Sequence, residues 1–458
     1  MIQIEQGSFQ VPAARIVVCN SLSPSKGSEI RCTVGRDLII KPEVLGRYCV
    51  RPLAPRIYDL VLITGAVAFA DGAVQRNVRT CWRRELEVVV PTSDPDFWNQ
   101  AIVVRNLKDT LELLTGDVWT FHFNRTRKKP DVEAQGSLPF GWRSTVVIPF
   151  SDGLDSFAVA RLSERAPGVG VIKVTTGSGP EVRGNSGQHR VSIPFSRQKS
   201  RIRLRETSHW SRGFVFGVMA GIAANLLEAD RIIVPESGQG SLGPWLNPVG
   251  NEAPDVRMHP FFTASLARFL KSVLGRHIEH DHPQLWKTKG ETLRELKGYG
   301  LENEWWKTKS CPRGRKVCLS GKRVQCGVCA SCLLRRQSLM AAALDSEKDV
   351  YLWRDLSAPT LCQAANPEAR DTVPNDERQA RCGLYELAAL GNLLDTGSGG
   401  RRIAGAAAEL AVHENAREED VVRKLRRLLL AHRDEWRNFV VAQKSESFLN
   451  SWLEILQC

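Results

Sequence analysis

Two stretches of this chain carry residues whose types and spacing can do chemistry. The first is Ser151-Asp152-Gly153-Leu154-Asp155-Ser156, which follows the β-branched run Thr145–Phe150 and opens a helix-like run, Ser156–Arg165. A strand that turns directly into a helix aims several backbone N–H groups at one spot, where the helix dipole adds positive potential. A phosphate suits such a spot: the hydroxyls of Ser151 and Ser156 can donate to its oxygens, and Asp155 can cap the helix or help to hold Mg²⁺. The plainer reading of the same residues is a capped βα connection. The second stretch holds five of the 12 cysteines, between Cys311 and Cys332. Cys326, Cys329 and Cys332 form a C-x-x-C-x-x-C string, and one cysteine from a preceding loop, Cys311 or Cys318, completes four thiolates. Four thiolates suit tetrahedral Zn²⁺ in a closed, structural site. An iron–sulfur cluster is the rival occupant.

The elements around the loop predict how it is held. Val169–Thr175 and Arg231–Pro235 read as further buried strands, and Phe214–Ala229 as a long apolar helix whose small residues suit close packing on a sheet. Strand, helix, strand, helix, strand is the rhythm of a doubly wound parallel sheet. Glu236, at the end of the third strand, stands where such sheets place ligand groups; an exposed loop acid is the alternative. Residues 1–140 mix short β-like runs (Ile16–Asn20, Leu86–Val90, Trp119–Phe123) with helices over Tyr58–Ala70 and from Asp96 to Leu114. Asp94 is the N-cap expected for the second of these, and Pro95 its first residue. This region is expected to be an α+β accessory domain, joined through a linker at Pro130–Gly141 to an α/β domain spanning 141–344. Residues 345–458 are expected to be helical, with runs at Leu384–Leu394, Ile403–Val412 and Glu418–His432 after a first at Leu333–Leu344.

Composition narrows the classes. A 458-residue chain with 42% hydrophobic and 25% charged residues has the makings of several cores, which argues against wholesale disorder. Its first residues lack the pattern of a signal peptide, and runs such as Leu60–Ala70 are too short to span a bilayer, so a cytoplasmic protein without membrane contact is expected. The net charge of +13 invites a nucleic-acid reading. The basic stretches at Arg125–Lys129, Arg197–Arg205, Arg313–Arg323 and Arg423–Arg427 are dispersed and lack interleaved aromatics, so nucleic acid is not the expected partner.

The loop resembles the S-G-G-x-D-S signature of the PP-loop ATP pyrophosphatases, departing from it at Asp152. Together with the cysteine string it resembles the 7-cyano-7-deazaguanine synthase (QueC-like) family, over about residues 144–340. That family ends in T-x-[ST]-C…C-G-x-C-x-x-C-x-L-R, here Thr308-Lys309-Ser310-Cys311 and Cys326 to Arg335, which favours Cys311 over Cys318. Trp210-Ser211-Arg212-Gly213 stands where the family has P-G-R-N, Pro254-Asp255-Val256-Arg257 is similar to its P-D-C-R loop, and Leu285–Thr292 to its L-x-K-x-E-T segment.

The resemblance implies that ATP adenylates 7-carboxy-7-deazaguanine with release of pyrophosphate, using Mg²⁺, with Zn²⁺ on Cys311, Cys326, Cys329 and Cys332. Ser151 to Ser156 would bind the phosphates. Lys289, and secondarily Arg212, would absorb developing charge, and Glu236, Asp255 and Arg257 would meet the substrate. A solvated cation is the alternative for Lys289 or Arg212, and a surface ion pair for Asp255 and Arg257. Extensions at both ends are similar to those of QueC-like proteins of the antiphage Qat and type IV CBASS systems. That context implies a partner protein of the same defence system, whose N-terminal amine would take the acyl group; ammonia is the other acceptor, giving an amide and, after a second activation, the nitrile 7-cyano-7-deazaguanine. The rival readings are a tRNA-modifying PP-loop enzyme and a nucleotide-sensing scaffold that Asp152 has disabled.

Overall fold

The computed structural model describes residues 11–20, 28–40, 54–77, 81–126, 144–176, 190–193, 195–197, 206, 208–229, 231–248, 253–313, 317–319, 322–344, 346–369 and 374–454. The linker expected at Pro130–Gly141 lies outside these residues. The chain is α/β, with two parallel sheets and many helices, and it forms two compact units. One comprises residues 1–149, 167–234 and 250–281; the other comprises 150–166, 235–249 and 282–458. Each unit draws on several separate stretches of sequence.

The first unit holds both sheets. Strands β1 (Ala13–Cys19), β2 (Ile30–Thr33), β4 (Glu85–Thr92) and β5 (Val118–Arg125) pair in the order β2-β1-β4-β5, every pair parallel. The α+β character expected for residues 1–140 is therefore corrected. Between β1 and β4, and between β4 and β5, the helices Pro55–Ala73 and Ala101–Thr115 carry the chain back to the starting end, which is what makes those two pairings parallel. Ile16, Val18, Leu86, Val88, Val90, Trp119, Phe121 and Phe123 alternate along three strands to form one buried face. Pro55–Ala73 is apolar nearly all round and is buried accordingly. The single helix expected from Asp96 is two. Asp94 does cap Pro95–Trp98, accepting from the Phe97 N–H at 3.2 Å, but that turn ends at Asn99 and a second helix starts at Ala101.

The second sheet is ordered β11-β10-β6-β7-β8, from β6 (Ser144–Pro149), β7 (Val169–Thr176), β8 (Arg190–Ile193), β10 (Arg231–Ile233) and β11 (Glu279–Asp281), again all parallel. Two further strands, β3 (Leu38–Ile40) and β9 (Phe195–Arg197), form a separate antiparallel pair. The chain steps outward from β6 to β7 and β8, then reverses to β10 and β11, the strand order of a doubly wound sheet. The helix Arg212–Leu226 packs on β6 and β7. Its glycines serve a helix partner more than the sheet: a Cβ on Gly217 would lie 2.3 Å from Leu266, and one on Gly221 2.6 Å from Leu270, both on the helix Pro260–Leu274.

A buried charge network ties this unit together. Arg84 donates to both carboxylate oxygens of Asp117, at 3.0 and 2.6 Å, and to Asp71 Oδ1 at 2.8 Å, while Arg76 bridges the same two acids. Asp71 also accepts the Ser211 N–H at 2.8 Å, joining the first parallel region to the turn before Arg212. Burial pushes the Asp71 carboxyl up, but Arg84 and Arg76 overcome it and hold the group below its ordinary value. Its share of stability is therefore present above the unfolded pKa of about 4 and is lost as pH falls through the folded value. Asp117→Ala leaves two buried guanidinium groups to share the single Asp71 carboxylate and should cost about 3–5 kcal/mol. A denaturant melt checks this, and a loss under 1 kcal/mol would show the network to be dispensable.

The second unit is helical around two apolar clusters. Leu154 and Ala158 of the helix Leu154–Ser163 pack with Leu293, Leu296, Trp305 and Leu339. The larger cluster surrounds the cysteines with Trp353, Leu384, Trp436, Phe439 and Trp452. The helices after Ala330–Ala341 run over Pro374–Asn392, Gly399–Glu414 and Glu418–Val441, longer than the apolar spacing alone predicted, and over Phe448–Glu454, which was not expected.

Candidate functional site

The chain leaves β6 into Ser151 and leaves β10 into Glu236, and those two strands are neighbours at the point where the sheet order reverses. Within the loop, the Ser151 and Ser156 hydroxyls meet at 2.9 Å, and Ser151 Oγ accepts the Gly153 N–H at 3.1 Å. The first intrahelical bond runs from Phe157 N–H to Gly153 C=O, so the N–H groups of Leu154, Asp155 and Ser156 precede it at the positive end of the helix.

Asp155 is not the helix cap. Gly153 holds that position with no side-chain cap bond, and Asp155 Oδ2 instead meets Lys289 Nζ at 2.8 Å. Lys289 is 6% exposed, which sets aside the solvated-cation alternative. Burial draws its ammonium down, but Asp155 and then Glu236 outweigh that and leave it above the ordinary lysine value. Glu236 completes the group. Burial, and then the Asp155 charge, push its carboxyl up to about 8 against the pull of Lys289. Its Oε1 accepts the Ser237 N–H at 3.1 Å, and a Cβ on Gly240 would lie 2.4 Å from that oxygen. At neutral pH the raised pKa keeps Glu236 largely protonated beside the Lys289 ammonium.

Asp152 is exposed and its φ is not positive, so the backbone at this position does not require the glycine of the resembling signature. Its carbonyl accepts the Lys309 N–H at 2.6 Å, linking the loop to the cysteine region.

The four thiols of Cys311, Cys326, Cys329 and Cys332 are buried, with ligand atoms all within 4.8 Å of one another. A buried all-sulfur set of this size fits a metal ion such as zinc. Cys318 is exposed on a short hairpin, Cys318–Leu319 with Lys322–Arg323, and is outside the cluster. Cys326 donates its N–H to Cys311 Sγ at 3.5 Å, and Cys329 donates to Cys326 Sγ at 3.3 Å, bonds that favour thiolates. Hydrogen bonds from the other three thiols, that of Cys326 foremost, pull Cys311 far below the ordinary thiol value. The turn needs Gly327, at φ +92°, where a Cβ would also strike the Trp353 carbonyl at 2.5 Å. Arg335, fully buried, explains the outer residues of the motif. It donates to Thr308 Oγ1 at 2.8 Å, Ser310 Oγ at 3.2 Å and Asp349 at 2.6 Å, fastening the segment that delivers Cys311.

Arg212, Asp255 and Arg257 belong to the other unit. Arg257 Nε reaches the two Asp255 oxygens at 2.7 and 2.9 Å, a half-buried pair within one loop. A Cβ on Gly213 would lie 2.9 Å from Arg257 Cγ, so Trp210–Gly213 and the Asp255 loop are in contact. Arg212 is exposed, its guanidinium 5.2 Å from the Phe216 ring.

Several supporting residues were not anticipated from sequence. Thr288 caps the helix Lys289–Gly298 in a reciprocal capping box with Glu291, a T-x-x-E pattern that was readable. Gln239, His432 and Glu435, which bond around Thr288 and Lys289, carry no local signal. Among the described residues no helix is long and apolar enough to cross a membrane. No protein-family model matches the chain, and no curated protein matches it.

Two outcomes follow from this geometry. Cys311→Ser should lower bound metal well below one equivalent while Cys318→Ser leaves it unchanged, measured by elemental analysis of the purified chains. Glu236, with its pKa raised from 4.5 to about 8, contributes stability that is full below pH 4.5 and is lost as pH rises through 8. Denaturant melts across that window should decline less steeply for Glu236→Gln than for the unaltered chain.

Proposed function

We propose that the chain is an ATP-dependent enzyme of the PP-loop type, in which Ser151–Ser156 binds the phosphates and a substrate carboxylate is adenylated with release of pyrophosphate. The observation that carries this reading is the buried Asp155–Lys289 pair, with Glu236, set directly behind the N-terminal turn of a helix whose N–H groups are available to an anion. A surface ion pair would need none of that burial.

A carboxylate is a poor electrophile, and adenylation gives it AMP as a leaving group. Attack by a substrate oxygen on the α-phosphorus breaks the bond to the β-phosphate oxygen, and charge builds on the departing pyrophosphate. The loop N–H groups and the Lys289 ammonium stabilise that charge in place, and fixing the two reactants together supplies much of the rate. Asp155 holds Lys289 charged and aimed. Mg²⁺ takes oxygen donors, and Asp155 with the Ser151 and Ser156 hydroxyls are the donors at the loop that fit it. The ion would neutralise phosphate charge there. A zinc ion on the four cysteines would be structural, since that donor set leaves no open position.

The sequence resemblance supports 7-carboxy-7-deazaguanine as the substrate, with Asp255 and Arg257 recognising it, and a defence-system partner protein or ammonia as acceptor. The test is pyrophosphate release from ATP and 7-carboxy-7-deazaguanine, with intact-mass analysis of candidate acceptor proteins. Asp155→Ala should abolish release, whereas Asp152→Gly should retain it. Full activity in Asp155→Ala would overturn the assignment of the loop, and silence of the unaltered enzyme with every acceptor would favour a sensing scaffold.

A further inference from the structure

The helix Glu418–Val441 lies outside the span of the sequence resemblance, yet two of its residues grip the start of the helix that carries Lys289. Lys289 is the first residue of that helix, so its backbone N–H has no partner within the helix. Gln239 Oε1 accepts it at 2.8 Å. The Gln239 amide nitrogen lies 2.7 Å from His432 Nδ1. His432 Nε2 lies 3.0 Å from the Leu387 carbonyl, and Gln337 Nε2 stands 3.3 Å from His432 Nδ1. One turn further along, Glu435 Oε1 accepts the Thr288 hydroxyl at 2.7 Å and the Arg294 guanidinium at 2.8 Å.

These distances fix the protons. A carbonyl only accepts, so His432 carries its hydrogen on Nε2 and presents a bare Nδ1. A bare Nδ1 takes the amide N–H of Gln239, which turns the carbonyl oxygen of Gln239 toward Lys289. Burial pushes the His432 pKa down to about 4, so the ring is neutral over the physiological range and keeps this arrangement. Without His432 the amide could rotate and set its own N–H against that of Lys289, a donor against a donor. The Lys289 main chain would then be released while the side chain of Asp155 stayed where it is.

We infer that Gln239 and His432 are positioning residues for Lys289, so that the C-terminal helices form part of the reaction machinery and not merely an accessory to it. The catalytic consequence rests on the role of Lys289 in the proposed function. The structural linkage does not, and the two can be read separately.

The experiment uses the full chain with His432→Phe, Gln239→Leu and the double variant. Hydrogen–deuterium exchange by mass spectrometry, on overlapping peptides that isolate the start of Lys289–Gly298, reads the linkage without any turnover. Loss of one hydrogen bond should speed Lys289 amide exchange about tenfold in each variant. Pyrophosphate release should fall about tenfold in kcat with the KM for ATP little changed, as expected when a group acting on developing charge is misaimed. The double variant should be no slower than either single, because the two residues act in series. Gln239→Leu tests the linkage from the opposite end should His432→Phe fold poorly. Unchanged exchange at Lys289 in folded variants overturns the inference whatever the activity. Multiplying kcat losses in the double variant would likewise overturn it. An unaltered enzyme that releases no pyrophosphate, with exchange still accelerated in the variants, defeats the proposed reaction alone.

Discussion

The second unit depends on keeping one ammonium group charged where water is scarce. Burying Lys289 would ordinarily favour its neutral form, and a lone carboxylate beside it would suffer the same penalty. Paired with Asp155 at 2.8 Å, Lys289 keeps its proton, and burial beside Asp155 raises the Glu236 carboxyl to about 8, so that it keeps its own. The rest of the arrangement serves that balance. Thr288 and Glu291 start the helix at the right residue, Gln239 fixes its first N–H, and Gly240 leaves room for the Glu236 carboxyl.

A second set of constraints runs from the loop to the cysteines. Asp152 accepts from Lys309, and Lys309 lies between Thr308 and Ser310, the two hydroxyls that Arg335 binds. Arg335 in turn sits on the helix begun by the cysteine knuckle. A metal ion closing Cys311 onto Cys326, Cys329 and Cys332 would therefore stiffen the same segment that touches the Ser151–Ser156 loop. That is a physical reason for a structural metal to accompany the ATP site proposed for this chain, and it does not require the metal to take part in the chemistry.

Much of this was legible in the sequence, for identifiable reasons. The strands at Thr145–Phe150 and Val169–Thr175 are short, β-branched and bounded by glycine turns, and the cysteine spacing constrains its own geometry. Cys311 could be preferred to Cys318 only through the neighbouring Thr308 and Ser310, whose partner Arg335 is 25 or more residues away. The first region was misjudged because short strands separated by long helices give no local sign of pairing direction; only the helical returns decide it. Asp155 was open to reading as a cap because first-turn acids commonly favour the helix dipole. Its actual partner is far along the chain. Gln239 and His432 were invisible for the same reason, being ordinary residues made important by contacts 193 positions apart.

The interleaved division of the chain has a consequence for its synthesis. Leu154 and Ala158 have their apolar partners at Leu293, Leu296, Trp305 and Leu339, so more than a hundred further residues must emerge from the ribosome before that helix can be covered. The strands of the doubly wound sheet, by contrast, are complete once Asp281 has been made. A growing chain thus completes one unit's strands before the helix Leu154–Ser163 from their midst can meet these partners. During that interval apolar side chains lack their native partners, the condition under which chaperones assist growing chains.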